Sequence, residues 1–533
     1  MLKQRKSKYR WLLLPIFITV LVWVGCSNQP VNPASEQNQA TVEPSSEIEK
    51  ASNRRDAGIQ KDADNQEFVP EASSTEKDDY SEKTPEVKPD KNYPPTKPFP
   101  KLEGGQILED KNPDPDVVEV HLEAIPKKIK LTDKITATMY TYNGIIPGPI
   151  IRARVGNKVI VHFTNKLPEA TTVHWHGLRI PDNMDGSPRV QKPVQPGETF
   201  TYTFTLKDAG SYWYHPHVRS HEQVEKGLYG MFVIQEKENI AFTRERAFVL
   251  DDILLTATGL APFLKSHPEI MHGRNGNQLF MNGQIEKQSF KVKAGDLERW
   301  RLVNVSNART MDIQLQGFDV QVIGTDGGLI NKPYVFQRLD VAVGQRFDLE
   351  VKFNKTGTFK VALMVRTTKG LQAITFAEVT VEGTPPQSPT KSPKYPKIEP
   401  LPSRKVDAKK LITFGAVRDN NSPGGIAWQM NGKSHWKEFM YTFKQGMTVQ
   451  FTLKNLAGPE HPFHLHGQFF QVISRNGNKA YEPGLKDTVL VKGMETVEII
   501  AYMDNPGRWM AHCHILEHAE LGMMAEFKVE ASK

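Results

Sequence analysis

One module occurs three times along the chain, and this repetition limits the possible folds more than any other feature. Gly156-Asn-Lys-Val-Ile-Val-His-Phe-Thr-Asn-Lys-Leu leads to His174-Trp-His-Gly177, and Gly446-Met-Thr-Val-Gln-Phe-Thr-Leu-Lys-Asn-Leu leads to His464-Leu-His-Gly467. A middle copy starts at Gly295-Asp-Leu-Glu-Arg-Trp-Arg-Leu-Val-Asn and reaches Gln314-Leu-Gln-Gly317, with glutamines where the other copies have histidines. Internal repetition of this kind means one supersecondary unit used repeatedly. Chemistry carried by the histidines is therefore expected between the first and third copies.

Within the copies, apolar and polar residues alternate with period two, as in Phe200, Tyr202, Phe204 and Leu206, and Gly, Pro and Asn turns separate the runs. That is the pattern of β-sandwich strands. The expected organisation is all-β, with domains at 114–237, 238–383 and 406–533 and a Pro, Ser and Lys-rich linker at 384–405. Residues 27–113 are rich in Glu, Lys, Asp, Ser and Pro and nearly devoid of apolar clusters, so they are expected to form a disordered tether. The net charge of +7 owes five charges to Lys3, Arg5, Lys6, Lys8 and Arg10, leaving +2 for the rest, which gives no footing for nucleic acid. Those five precede an apolar run, Trp11 to Val24, and then Gly25-Cys26. Residues 1–26 are expected to be a signal peptide of the lipoprotein type, with Cys26 lipidated and the protein exported to the outer face of a bacterial membrane. An uncleaved anchor or an ordinary secretory signal are the alternatives.

Ten of the sixteen histidines lie within residues 174–176, 215–217, 461–466 and 512–518, only 19 residues in all. The pairs His174/His176, His215/His217, His464/His466 and His512/His514 are each His-x-His, and in a strand positions i and i+2 point to one face. Eight neutral imidazoles converging in this way suit copper, and more than one ion of it. Cys513 stands between His512 and His514, so its sulfur points to the opposite face and toward a different metal. With His461, His518 and Met523 it completes the ligand set of a blue copper electron-transfer site. Isolated histidines of a sandwich are usually structural, and His121, His162, His221, His267, His272 and His435 are read so. The only other cysteine is Cys26, so no intramolecular disulfide is expected.

The stretches His174-Trp-His-Gly, Tyr214-His-Pro-His217, His461-Pro-Phe-His-Leu-His-Gly467 and His512-Cys-His-Ile-Leu-Glu-His-Ala-Glu-Leu-Gly-Met-Met524 resemble the four copper motifs of multicopper oxidases, over roughly residues 114–530. The resemblance implies three consecutive cupredoxin-like Greek-key sandwiches holding four copper ions. It gives His461, Cys513 and His518 to the type 1 copper with Met523 axial, Met524 being the rival for that position. It gives His174 and His464 to the type 2 copper, and His176, His215, His217, His466, His512 and His514 to the type 3 pair. Asp185 resembles the carboxylate that relays protons in bacterial members, although an Asx turn before Gly186 would explain it equally. A second acid often follows the last histidine of the motif. Here Ala519 stands there, with Glu517 and Glu520 as possible substitutes.

The implied reaction is four-electron reduction of O₂ to water coupled to one-electron oxidation of a reducing substrate, with Cys513, His512 and His514 as the electron path. No long Met-rich insert is present, so a laccase-like activity on phenols and aromatic amines is the expected reading. Oxidation of Cu(I), Fe(II) or Mn(II) is the alternative within the class. A copper-free scaffold and a copper nitrite reductase are the alternatives outside it, and the complete ligand set, the eight clustered histidines and the domain count argue against both.

Overall fold

The computed structural model describes residues 98–532, apart from 368–369, 400 and 402–404. The readings made for Trp11–Val24, for Cys26 and for residues 27–97 of the tether lie outside the described residues.

Each copy of the module is a pair of sheets with the same strand order. In the first copy one sheet runs Thr136–Tyr142, Val117–Lys130, Lys158–Asn165, Thr199–Thr205, and the other runs Gly148–Arg154, Gly230–Gln235, Gly210–His215, His174–His176. In the third copy the first sheet opens with Ile426–Met430, Ala408–Arg418, Thr448–Asn455 and Thr496–Tyr502. The second runs Phe439–Lys444, Met524–Glu530, Gly507–Cys513, His461–Leu465, Thr488–Val491. The successive pairings in the first sheet are antiparallel, parallel and antiparallel in all three copies. Those in the second sheet are parallel, antiparallel and antiparallel. Several neighbouring strands are distant in sequence, such as Val117–Lys130 beside Lys158–Asn165 and His461–Leu465 beside Gly507–Cys513, so the chain crosses between sheets as a Greek key does. In the middle copy, Met311–Gln316 takes the place of His174–His176 and His461–Leu465, and it carries Gln314 and Gln316 in place of histidines.

Period-two burial builds the cores. Lys158–Asn165 turns Val159, Val161 and Phe163 inward, and Thr448–Asn455 does the same with Val449, Phe451 and Leu453. Burying such a side chain contributes roughly 1.5–3 kcal/mol.

The middle sandwich breaks this pattern where it meets the first. Arg346–Lys352 sends Phe347, Leu349 and Val351 into its own core, yet Arg346, Asp348 and Glu350 on the other face are buried too. Asp348 meets a lattice of buried charge: Arg299 pairs with Asp348 at 2.6 Å and with Glu236 at 2.9 Å, and Arg301 donates to Ser211 Oγ at 3.0 Å. Ser211 Oγ donates to Asp348 Oδ1 at 2.6 Å, on the strand that ends at His215.

One boundary expectation is corrected. Residues 98–113 belong to the folded body rather than to the tether. Leu102–Glu103 adds in parallel to Arg244–Ile253, Arg152 Nη2 donates to Pro100 O at 2.5 Å, and the Arg152 guanidinium lies 4.5 Å from the Phe99 ring centre. Main-chain pairing and cation–π contact need little apolar content, so composition misses this segment. The described part of the linker is laid along the middle sandwich, with Ser392 Oγ donating to Glu350 Oε1 at 2.7 Å and Ile398 N to Asn331 Oδ1 at 2.8 Å.

Candidate metal centre

The strands that carry the histidines lie side by side. His174 is registered with His215, and His464 with His512, so imidazoles from adjacent strands project together. Alternation then sends Trp175 into the first core and Cys513 into the third. The first and third sandwiches interlock through two stacked ring pairs, His174 on His466 at 4.0 Å between centres and His176 on His464 at 3.8 Å. Ligand-capable atoms gather into overlapping groups whose members lie within 4.8 Å: His174, His464 and His466; His174, His215 and His217; His176, His215 and His514; His217, His466 and His512. A separate group within the same limit is His461, Cys513 and His518.

Second contacts fix which nitrogen of each ring is bare. Nδ1 of His174, His464, His215 and His512 donates to the carbonyl of Asp185 (2.8 Å), Asp487 (2.9 Å), Pro216 (3.0 Å) and Cys513 (2.8 Å), respectively. His466 Nδ1 donates to Asp185 Oδ2 at 2.8 Å, and His176 Nε2 to Asp487 Oδ1 at 3.1 Å. A neutral imidazole with one nitrogen donating presents a lone pair at the other. Nε2 of His466 and His512 thus face each other at 3.1 Å with both protons turned away, and His514 Nε2 lies 3.2 Å from the bare Nδ1 of His176. Nε2 of His174, His215 and His464 has no hydrogen-bond partner. Lone pairs aimed at one another in a buried space are balanced by a cation, so these residues fit metal ions.

The cluster is also held neutral. Burial first, and neighbouring imidazoles second, push His215, His217, His466 and His514 well below the usual histidine range, and His512 is lowered to about 3 in the same way. Neutral imidazole is the metal-binding form.

In the second group, Cys513 Sγ lies 3.5 Å from His461 Nδ1 and 3.8 Å from His518 Nδ1, and the two nitrogens are 3.1 Å apart. Burial lowers His461 to about 3 and pushes the Cys513 thiol well up, so binding a metal here displaces a proton from sulfur. Met523 is fully buried in the same core as Cys513, and its carbonyl accepts from Cys513 N at 3.1 Å. Met524 is only half-buried and sits opposite His512 in the strand register. Trp428 packs on His518 with ring centres 4.0 Å apart. The short helix His267–His272 closes the outer side, where the Ile270 carbonyl accepts from Trp428 Nε1 at 3.0 Å and the Met271 carbonyl from His518 Nε2 at 3.3 Å.

Asp185 is buried at the end of the short turn Asp182–Met184 and touches histidines of both sandwiches, His174 and His466. Glu517 is buried with both oxygens engaged, Oε1 by Asn307 Nδ2 at 2.8 Å and Oε2 by Arg274 N at 3.0 Å. Glu520 lies 3.2 Å from His221, and Ala519 is buried. His121 and His162 stack at 4.9 Å on the face of the first sandwich beside Glu119, apart from either group. His267 and His272 are exposed on the covering helix.

Sequence reasoning missed Asp487 and the middle-domain turn behind it. Asp487 mirrors Asp185: its carbonyl takes His464 and its carboxylate takes His176, where Asp185 takes His174 and His466. Arg346 binds the Asp487 carboxylate through both terminal nitrogens, at 2.7 and 2.5 Å. The available signal was Arg346-Phe-Asp-Leu-Glu350, a strand whose supposed solvent face is wholly charged.

Three family profiles, each described as multicopper oxidase, match residues 124–239, 259–381 and 405–533. The multicopper oxidase MmcO of Mycobacterium tuberculosis is 29% identical over 444 residues, covering 75% of this chain and 84% of that protein. Laccase-1 of Botryotinia fuckeliana is 29% identical over 449 residues, covering 74% and 79%. Among solved structures, a multicopper oxidase from Campylobacter jejuni, described as a metallo-oxidase, superposes with a TM-score of 0.71 at 29% identity over 81% of this chain and 96% of that one. Each repeated sandwich thus meets its own profile and both histidine clusters have the geometry of metal sites: the chain belongs to the multicopper oxidases, enzymes that oxidise a substrate at the expense of O₂.

Proposed function

We propose that the chain is a laccase-like oxidase of phenols and aromatic amines that holds four copper ions. His461, Cys513 and His518, together with the Met523 thioether, would hold the type 1 ion. His174 and His464 would hold the type 2 ion, and His176, His215, His217, His466, His512 and His514 the type 3 pair. Bound copper would supply one-electron oxidation of the substrate at the first site and reduction of O₂ to water at the cluster.

The observation that carries this reading is the tripeptide His512-Cys513-His514. The cysteine looks into one pocket and both flanking imidazoles into the other, so the backbone is a short covalent path between the two. His512 Nδ1 shortens it further by donating to the Cys513 carbonyl at 2.8 Å. A proton-relay role for Asp185 is supported by its Oδ1, which carries no hydrogen bond while Oδ2 is held by His466. Replacing Cys513 with Ser tests the assignment. Blue colour and turnover should vanish while the cluster keeps its copper, and retained turnover would overturn it.

A second reading, oxidation of Cu(I) or another low-valent metal ion, is favoured by the helix His267–His272. Its Met271 carbonyl covers the outer edge of His518, so a bulky ring cannot touch that imidazole directly, and exposed His267 and His272 offer nitrogen ligands to an arriving ion. The Campylobacter jejuni neighbour is a metallo-oxidase. Oxygen uptake with a phenol and with Cu(I), corrected for uncatalysed oxidation, separates the two. Export and a lipid anchor at Cys26 are supported by the basic start, the apolar run and Gly25-Cys26. A Cys26→Ala protein released from membranes would bear this out, and one that stays bound would refute it.

A further inference from the structure

Arg346 belongs to the middle sandwich, which contributes no histidine to either group. Its guanidinium is fully buried and saturated. Nε donates to the Ser211 carbonyl at 2.9 Å, Nη1 to the Gly344 carbonyl at 2.9 Å and Asp487 Oδ1 at 2.7 Å, and Nη2 to the Asp326 carbonyl at 2.9 Å and Asp487 Oδ2 at 2.5 Å. Asp487 Oδ1 also accepts from His176 Nε2 at 3.1 Å and Thr488 Oγ1 at 2.9 Å, and its carbonyl accepts from His464 Nδ1. One residue, Asp487, therefore sets the rotation of two stacked rings, one from each outer sandwich, His176 through its carboxylate and His464 through its carbonyl.

The mirror-related Asp185 has no such clamp: its Oδ1 is without a hydrogen bond. The turn before Arg346 also lies against His176, and against His514 beside it. Gln345 Nε2 donates to the Thr488 carbonyl at 3.0 Å, and a Cβ on Gly344 would lie 3.0 Å from His176 Cε1 and 3.1 Å from His514 Cδ2. We propose that Arg346 is a positioning residue for the copper cluster: the ligand-free middle domain aims His176 and His464 by gripping Asp487 with a two-pronged ion pair. This rests on the reading of the histidines as copper ligands. Lysine at this position would keep the charge and lose the planar fork, so geometry and charge can be separated.

The test compares the wild-type holoenzyme with Arg346→Lys, Arg346→Met and Arg299→Lys. Arg299 is a buried arginine of the same interface that pairs with Asp348 and Glu236 and not with Asp487. Copper per chain is followed during chelator competition, together with the electron paramagnetic resonance signal of the copper held by His174 and His464. Melting of the metal-free proteins is recorded alongside. Arg346→Lys should keep the blue band but bind the two-histidine copper about 10–100-fold more weakly, with altered hyperfine splitting, as expected when a partner of a ligand is lost. Arg299→Lys should lower the melting temperature without moving either copper readout. Unchanged copper affinity and spectrum in Arg346→Lys would overturn the proposal, and so would equal weakening in Arg299→Lys, which would make Arg346 domain glue only. If Arg346→Met does not fold, the lysine variant decides alone. A wild-type protein that stays colourless and copper-free after reconstitution would instead sink the copper reading beneath it.

Discussion

The middle domain comes up against the histidine cluster at Gly344, and one methyl group there measures how tightly it supports the rings. Gly344 has φ +84°, and its added Cβ would meet His176 and His514 at 3.0 and 3.1 Å. Gly295, in the same sandwich, has φ +93° and no atom within 4 Å of its would-be Cβ. Alanine in this left-handed region costs roughly 1–2 kcal/mol at either site. Only at Gly344 is there added crowding, about 1–3 kcal/mol for overpacking. The difference between Gly344→Ala and Gly295→Ala therefore isolates contact with the ligand rings. Urea denaturation of the metal-free proteins should place Gly344→Ala about 1–3 kcal/mol below Gly295→Ala. Only the former should also lose copper readily to a chelator. Equal losses in stability and equal copper retention would refute the idea that this turn backs the cluster.

Metal removal should make the protein acid-labile. His461 and His512 are held near pKa 3 in the fold against about 6.5 when unfolded, so the unfolded chain takes up protons first as pH falls. Their contribution to stability is intact above about pH 6.5 and is lost at about 1.4 kcal/mol per pH unit for each ring on the way to pH 3. Denaturation midpoints of metal-free and copper-loaded protein at pH 7 and 5 should diverge, and parallel curves would contradict this. Asp185→Asn keeps an oxygen to accept from His466, so copper content should hold while turnover falls about 100-fold or more. Full turnover would remove Asp185 from proton delivery. Converting His267 and His272 together to alanine should slow Cu(I) oxidation severalfold and leave phenol oxidation unchanged if metal ions dock on the covering helix. Equal rates would leave the helix as a lid.

The two groups of ligand-capable side chains were legible because their spacing is local. His-x-His on a strand fixes a common face, and the residue between is forced to the other, which is why Cys513 and its neighbours separate correctly into two groups. The three-fold repeat was equally legible, down to glutamines on the strand that elsewhere carries ligands. What the sequence hides is contact between distant segments. Asp185 meets His466 across 281 positions, and Arg346 meets Asp487 across 141. Arg346, Asp348 and Glu350 alternate with Phe347, Leu349 and Val351 and read as a solvated face, yet Ser211 of the first sandwich meets Arg346 and Asp348, and Ser392 and Tyr395 of the linker cover Glu350. The helix over His518 has no recognisable spacing at all, because its hydrogen bonds to Trp428 and His518 are made by main-chain carbonyls, which any residue supplies.

The stacked pairs His174–His466 and His176–His464 each draw one ring from either end of the chain. Neither outer sandwich alone holds a complete cluster, so metal affinity and the mutual affinity of the two ends are one linked equilibrium. Copper bound there would act as a rivet across a seam. A cell short of the metal would accumulate a looser molecule, with the seam as the first place a protease could enter, and resistance to digestion would become a direct gauge of how much of the enzyme had been supplied with copper.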